Sequence, residues 1–136
     1  MVHSIDVSGA VNWSIPTGDG VVKGYVAPDR FTDDIYISTN TTVRRLSDDG
    51  SPPSTDWARS DIPSPSSPIY APGDAYLYLG AGDGKLYQLD AATGSTTRTF
   101  PLGDQGAGVG SPTLDRINRF VYVGTEAGIV YAIELP

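Results

Sequence analysis

The chain has 136 residues, long enough for one domain with a real core, and its net charge of −7 comes from 9 basic and 16 acidic residues. No cysteine is present, which excludes disulfides and thiolate metal sites, and no basic cluster exceeds Arg44-Arg45, so nucleic acid is not an expected partner. No run of about 18 apolar residues occurs, so no membrane span is expected, and 16 Gly with 11 Pro favour many short strands over long helices.

In chain order, "VHSID" reads as the end of one strand, "DVSG" as a turn, and "AVNWSIP" as a further strand. A unit begins near Val22, with Lys23-Gly24 at its start, and carries strand-like pieces at Ile35-Tyr36-Ile37 and Val43 to Leu46. "SDDG" then opens the longest irregular stretch, Ser47 to Ser67, which holds Trp57 and Arg59. The next unit is clearest: "SPIYAP", "AYLYLGA", "KLYQLD" and "STTRTFPL" are four strands. Asp83-Gly84 joins the second and third of them, a strong two-residue hairpin signal because such turns need positive φ. The last unit offers "SPTLD", "RFVYVGT" and "IVYAIEL", with Ala127-Gly128 at the same turn.

These pieces repeat. Ile35-Tyr36-Ile37 matches Leu77-Tyr78-Leu79 and Val121-Tyr122-Val123 at spacings of 42 and 44. Val43 to Leu46 matches Leu86 to Leu89 and Val130 to Ile133 at spacings of 43 and 44, and Ser67-Pro68 matches Ser111-Pro112. The second strand is apolar on both sides, because tyrosine lies between aliphatic residues, so it must be buried on both. Four antiparallel strands in about 40–45 residues, covered on both faces, describe a blade of a β-propeller. The expected fold is all-β, with twelve strands making about three four-stranded blades. Residues 1–21 would end one blade, 22–65 and 66–110 would each form a blade, and 111–136 would supply three strands of a further one. Leu77, Leu79, Val121 and Val123 are expected in central strands, with Tyr78 and Tyr122 packed against the opposite neighbour.

The phrase "YLYLGAGDGKLYQLDAATGSTTRTF" resembles the repeat of quinoprotein-like (PQQ-like) propellers, and Phe120 to Leu135 resembles it too. Trp13 in "DVSGAVNWSIPTG" stands at that repeat's tryptophan position, and Trp57 does so in a looser copy, whereas Arg98 replaces it in the clearest copy. The resemblance implies that this tryptophan docks between blades. It also implies a periplasmic or extracellular location. The family includes quinoprotein alcohol dehydrogenases, the propeller lipoprotein of bacterial outer-membrane assembly and many secreted propellers, so the fold does not choose a function.

The strand count leads to an expectation about assembly. The outer strand of one blade would come from the N-terminus, with Val11, Trp13 and Ile15 forming an inter-copy strand. Three blades fall below the usual range of about four to eight. The expected partner is therefore a second copy, giving a head-to-tail dimer of six blades, or the remainder of a larger propeller.

Chemistry is sparse. Asp33-Asp34 and Asp48-Asp49 are paired carboxylates at strand ends or turns, without EF-hand spacing, and read as turn residues. His3 has no evident Ser or Cys partner, so a hydrolytic triad is not expected. Gly80-x-Gly82-x-Gly84 lies inside a hairpin rather than before a helix, which does not suit a phosphate loop. No cofactor, metal or catalytic residue is expected. Trp57 with Arg59 is the candidate protein-binding pair, since both types are frequent interface anchors. The expected function is non-catalytic protein binding or scaffolding; the alternatives are a fragment of a quinoprotein dehydrogenase and a carbohydrate-binding propeller.

Overall fold

The computed structural model describes residues 1–48, 52–102 and 106–136, and within them every regular element is a strand. The strands are β1 (Val2–Ile5), β2 (Val11–Ile15), β3 (Ala27–Pro28), β4 (Asp34–Ser38), β5 (Val43–Ser47), β6 (Ser54–Arg59), β7 (Ile69–Ala71), β8 (Tyr76–Gly80), β9 (Lys85–Asp90), β10 (Thr96–Pro101), β11 (Thr113–Asp115), β12 (Phe120–Gly124) and β13 (Val130–Glu134). They form four antiparallel sheets, ordered β1-β2, β3-β4-β5-β6, β7-β8-β9-β10 and β11-β12-β13. Each sheet is built from neighbours in sequence, as a blade requires.

The described residues hold thirteen strands where the sequence suggested twelve. The added one is β1. "VHSID" reads as the end of a strand, yet it forms a strand that pairs with β2 through Val2↔Ile15, His3↔Ser14, Ser4↔Trp13 and Ile5↔Val11. The N-terminal outer strand therefore already has an inner neighbour. The fourth strand expected of the 22–65 blade is β6, which lies inside the stretch that reads as irregular and pairs with β5 through Arg45↔Trp57.

Hairpins form at the expected places, but with three-residue turns rather than two-residue ones: Ala81 N–H donates to the Lys85 carbonyl at 3.0 Å and Thr125 N–H to the Ile129 carbonyl at 2.9 Å. Only the glycine of each dipeptide is left-handed, Gly84 at φ 80° and Gly128 at φ 79°, a region that β-branched side chains resist. The turns between third and fourth strands are closed by aspartate. The Asp90 carboxylate accepts from the Thr93 backbone N–H at 2.8 Å, and the Asp6 carboxylate accepts from Ser8 N–H at 2.8 Å. The Asp6 bond makes an Asx turn and the Asp90 bond reaches one residue further; both need a short acceptor side chain at that position.

Two apolar layers hold the sheets together. Tyr36, Val43, Ile62, Tyr70, Leu77, Leu79 and Leu89 fill the layer between the β3–β6 and β7–β10 sheets. Tyr78, Leu86, Val109, Val121, Val123 and Leu135 fill the next. Leu77 and Leu79 thus face backward along the chain of blades, and Tyr78 between them faces forward. This alternation explains why the strand is apolar throughout. It is covered on both sides, as a stacked blade must be.

Candidate functional site

At two joints a tryptophan of one sheet's outer strand docks on the next sheet. The Trp13 indole N–H donates to the Asp48 carboxylate at 2.8 Å. The Trp57 indole N–H donates to the Ala91 carbonyl at 3.0 Å. Both acceptors lie in the region just after the next sheet's third strand, so the two tryptophans perform the same docking one repeat apart. Trp57 also stacks near Tyr36, with ring centroids 6.2 Å apart. A Cβ on Gly94 would lie 2.7 Å from its indole carbons, so the ring lies directly on that turn. Arg98 holds the corresponding place in β10, and its guanidinium sits over the Phe100 ring at 4.6 Å, a cation–π contact.

Charged groups reinforce the same joint. Arg45 binds the Asp34 carboxylate at 2.7 Å and the Asp56 carboxylate at 3.2 Å, and reaches the Ala92 carbonyl of the next sheet at 3.1 Å. Burial raises the Asp34 carboxyl, but hydrogen bonds from Arg45 and Thr32 outweigh it and hold the group below the usual carboxylate value. Arg59 binds Asp61 at 2.6 Å, donates to the Gly94 carbonyl and reaches Thr96 Oγ1 at 3.3 Å. The Arg59 hydrogen bond lowers the Asp61 carboxyl. The Trp57–Arg59 pair is thus half-buried on the next blade's Ala91 and Gly94, with its polar atoms directed there.

The inner ends of the sheets converge on an axis through a ladder that no sequence motif announced. The Ser67 hydroxyl donates to the Lys23 carbonyl at 2.9 Å, and the Ser67 N–H donates to the Ser111 hydroxyl at 3.1 Å. Both links span 44 residues, so equivalent repeat positions bond to one another. Tyr25 crosses further and donates its hydroxyl to the Pro112 carbonyl at 2.9 Å. Beside this ladder lies an open cavity of about 500 Å³, lined by Lys23, Ser64, Ser66, Ser111, Thr125 and Glu126 among others. Only the 44-residue recurrence of Ser67-Pro68 and Ser111-Pro112 could have pointed to it.

The remaining sequence candidates are dispersed. Asp34 is held by Arg45 and Asp48 by Trp13, while Asp49 lies outside the described residues. Among the described residues, no three His or acidic side chains converge as a metal site would need. His3 does meet a serine, contrary to expectation: its Nδ1 lies 2.7 Å from Ser14 Oγ across β1 and β2. The pair is exposed and, among the described residues, has no carboxylate bonded to it, so the contact is a surface cross-strand pair. Trp13 of the expected inter-copy strand is buried, Val11 is exposed and Ile15 half-buried.

The feature that sets the last sheet apart is exposure. At one position of the repeat, Tyr36 and Tyr78 are 1% and 0% exposed, but Tyr122 is 41% exposed. At another, Val43 and Leu86 are both 0% exposed, but Val130 is 73% exposed. Tyr122 was expected to be packed like Tyr78. It faces forward in the same way, but no described residues form a sheet over it. Together with Phe120, whose ring lies 6.1 Å from that of Tyr122, these residues form an uncovered apolar face.

No family model matches the chain, and no curated protein matches it. Solved structures do. BamB from Moraxella catarrhalis superposes with a TM-score of 0.69 at 19% identity, over 93% of this chain and 37% of BamB. A luciferin-regenerating enzyme gives 0.59 at 13% identity, over 78% of this chain and 38% of the enzyme. The computationally designed Ika4 protein gives 0.52 at 10% identity, over 94% of this chain and 99% of Ika4. The fold is that of β-propeller blades. The chain spans well under half the length of the first two structures, and likeness at this identity shows the fold alone.

Proposed function

We propose that the chain is a non-catalytic propeller module that scaffolds or binds protein, completed into a ring by a second copy or by the remainder of a larger propeller. The observation that carries this reading is the exposure of Tyr122 and Val130 at positions that are buried in both preceding blades. A repeat that keeps tyrosine and valine there is built to be covered. Further exposed apolar residues support it: Val21, Val26 and Phe31 flank β3 in the first full sheet. Apolar surface of this kind on an isolated chain favours association. Two copies give six blades, inside the usual range of about four to eight.

The resemblance to quinoprotein-like repeats and the likeness to BamB support a periplasmic or extracellular location for this module. Its axial cavity is lined by hydroxyls, glycines, one lysine and one glutamate.

The test pairs assembly with cofactor chemistry. Light scattering of the chain at micromolar concentration should report a particle of twice 14.3 kDa or larger. Removing Met1 to Pro16 should collapse it to smaller or aggregated species. A compact monomer indifferent to that deletion would defeat the assembly reading. Saturable uptake of pyrroloquinoline quinone in the presence of calcium, followed by absorbance, would overturn the non-catalytic one.

A further inference from the structure

Three pairings in the structure join a third strand to a fourth, and they share one register. Val2↔Ile15, His3↔Ser14 and Ser4↔Trp13 correspond to Val43↔Arg59, Arg44↔Ala58 and Arg45↔Trp57. Leu86↔Phe100, Tyr87↔Thr99 and Gln88↔Arg98 correspond to both. The irregularity falls at the same step in each, between Ser4 and Ile5, between Arg45 and Leu46, and between Gln88 and Leu89. A shared bulge is a specific mark, because it re-aims the residue beside it and fixes the register. Here that residue is Trp13, Trp57 or Arg98, the docking position.

The third strand of the last sheet, β13, belongs to the same series. "VYAIE" from Val130 follows the pattern of "VHSID" from Val2, with Val, Ile and an acid at matching places. The outer edge of β13 has no partner among the described residues, and neither has the inner edge of β1. Two strands of one kind, β1 and β13, therefore stand ready for a single fourth strand, β2. Unpaired edges of this sort are what strand addition satisfies.

We infer that β2 is an exchangeable strand: β13 of a second copy displaces β1 from it, with Val130 opposite Ile15 and Ala132 opposite Trp13. This rests on the assembly reading above and specifies its joint. The backbone pairing lost with β1 is regained with β13 in the same register, so the exchange is nearly neutral in ladder hydrogen bonds. The bias comes from packing. Trp13 remains anchored to Asp48 at the outer end of the first full sheet. A complete four-stranded blade then stands behind that sheet, with Phe120, Tyr122 and Val130 covered. The sheet that covers them is β3–β6 of the second copy, and β1 left on β2 occupies the place beside β2 that β13 must take for the two sheets to meet.

The absence of native cysteine makes the test direct. Ile15→Cys with Val130→Cys places two thiols opposite each other only if β2 has moved to β13, at a separation that cross-strand pairing brings within disulfide reach. Under mild oxidation it should give a disulfide-linked dimer on a non-reducing gel. Ile15→Cys with Val2→Cys is the competing pair. It should close within one chain and lower the yield of assembled species in light scattering. Assembled protein that closes Ile15–Val2 within each chain, and fails to close Ile15–Val130, would overturn the exchange while leaving the assembly reading intact. Monomeric protein would remove both. Closure of Ile15–Val130 within one chain would overturn the two-copy joint in favour of a self-closed molecule.

Discussion

Gly94→Ala tests the docking of one blade on the next, and Gly9→Ala supplies its control. Both glycines end an aspartate turn between third and fourth strands, with Gly94 N–H donating to the Asp90 carbonyl at 2.8 Å and Gly9 N–H to the Asp6 carbonyl at 3.0 Å. Both are left-handed, at φ 73° and φ 88°. An alanine in that region costs roughly 1–2 kcal/mol at either site. Space separates them. A Cβ on Gly9 meets nothing within 4 Å, whereas a Cβ on Gly94 lies 2.7 Å from two Trp57 ring carbons. The ring must shift or lose its 3.0 Å bond to the Ala91 carbonyl. Overpacking of this kind costs about 1–3 kcal/mol. Gly94→Ala should therefore destabilise by about 2–5 kcal/mol and Gly9→Ala by about 1–2. Urea unfolding followed by far-ultraviolet circular dichroism, at one fixed protein concentration, reads both. In a Trp57→Leu background the excess at Gly94 should vanish, leaving only the backbone part. Equal costs for the two glycines, or an excess that survives removal of the indole, would refute the tryptophan-on-turn joint.

Further outcomes follow from burial and charge. Leu79 is fully buried between two sheets, so Leu79→Ala should cost about 2–5 kcal/mol in the same assay. The Asp34 carboxyl is held below its unfolded value, so its ion pair with Arg45 stabilises the fold above about pH 4. That stability is lost as pH falls through and below the carboxylate range, and Asp34→Asn should flatten the acid limb of stability against pH. Burial pushes Tyr78 and Tyr70 both up to about 12 and raises Tyr36 as well, so an absorbance titration should show a late tyrosine step near that pH, and Tyr78→Phe should lower its amplitude by one tyrosine without removing it.

The parts legible in sequence were those whose local chemistry and burial agree. Leu77-Tyr78-Leu79 announced a two-sided strand, and Asp83-Gly84 announced its turn, because positive φ and an apolar run each leave a residue-level mark. β6 was hidden because Ser54, Thr55 and Asp56 are exposed and polar, so its strand character rests on pairing with β5 rather than on its own pattern. β1 was undercounted for a similar reason: His3 and Ser4 interrupt the apolar signal. Trp57 sat in a Pro/Ser-rich stretch that looked exposed, and only the fold shows it lying on Gly94. Tyr78 and Tyr122 carry the same residue at the same repeat position, so no sequence feature distinguishes the covered ring from the open one. Exposure there depends on whether another sheet follows.

The central claim is that the open face of the last sheet is a docking surface. Sedimentation velocity of the chain and of Tyr122→Lys with Val130→Lys, each over a hundredfold range of concentration, addresses it most directly. Both residues are exposed, so the double variant should keep its strand spectrum. The account predicts a wild-type species heavier than the 14.3 kDa chain that dissociates on dilution, and a double variant that sediments as a monomer throughout. A wild-type chain that sediments as a 14.3 kDa monomer at every concentration, or a double variant that associates as the wild type does, would contradict it.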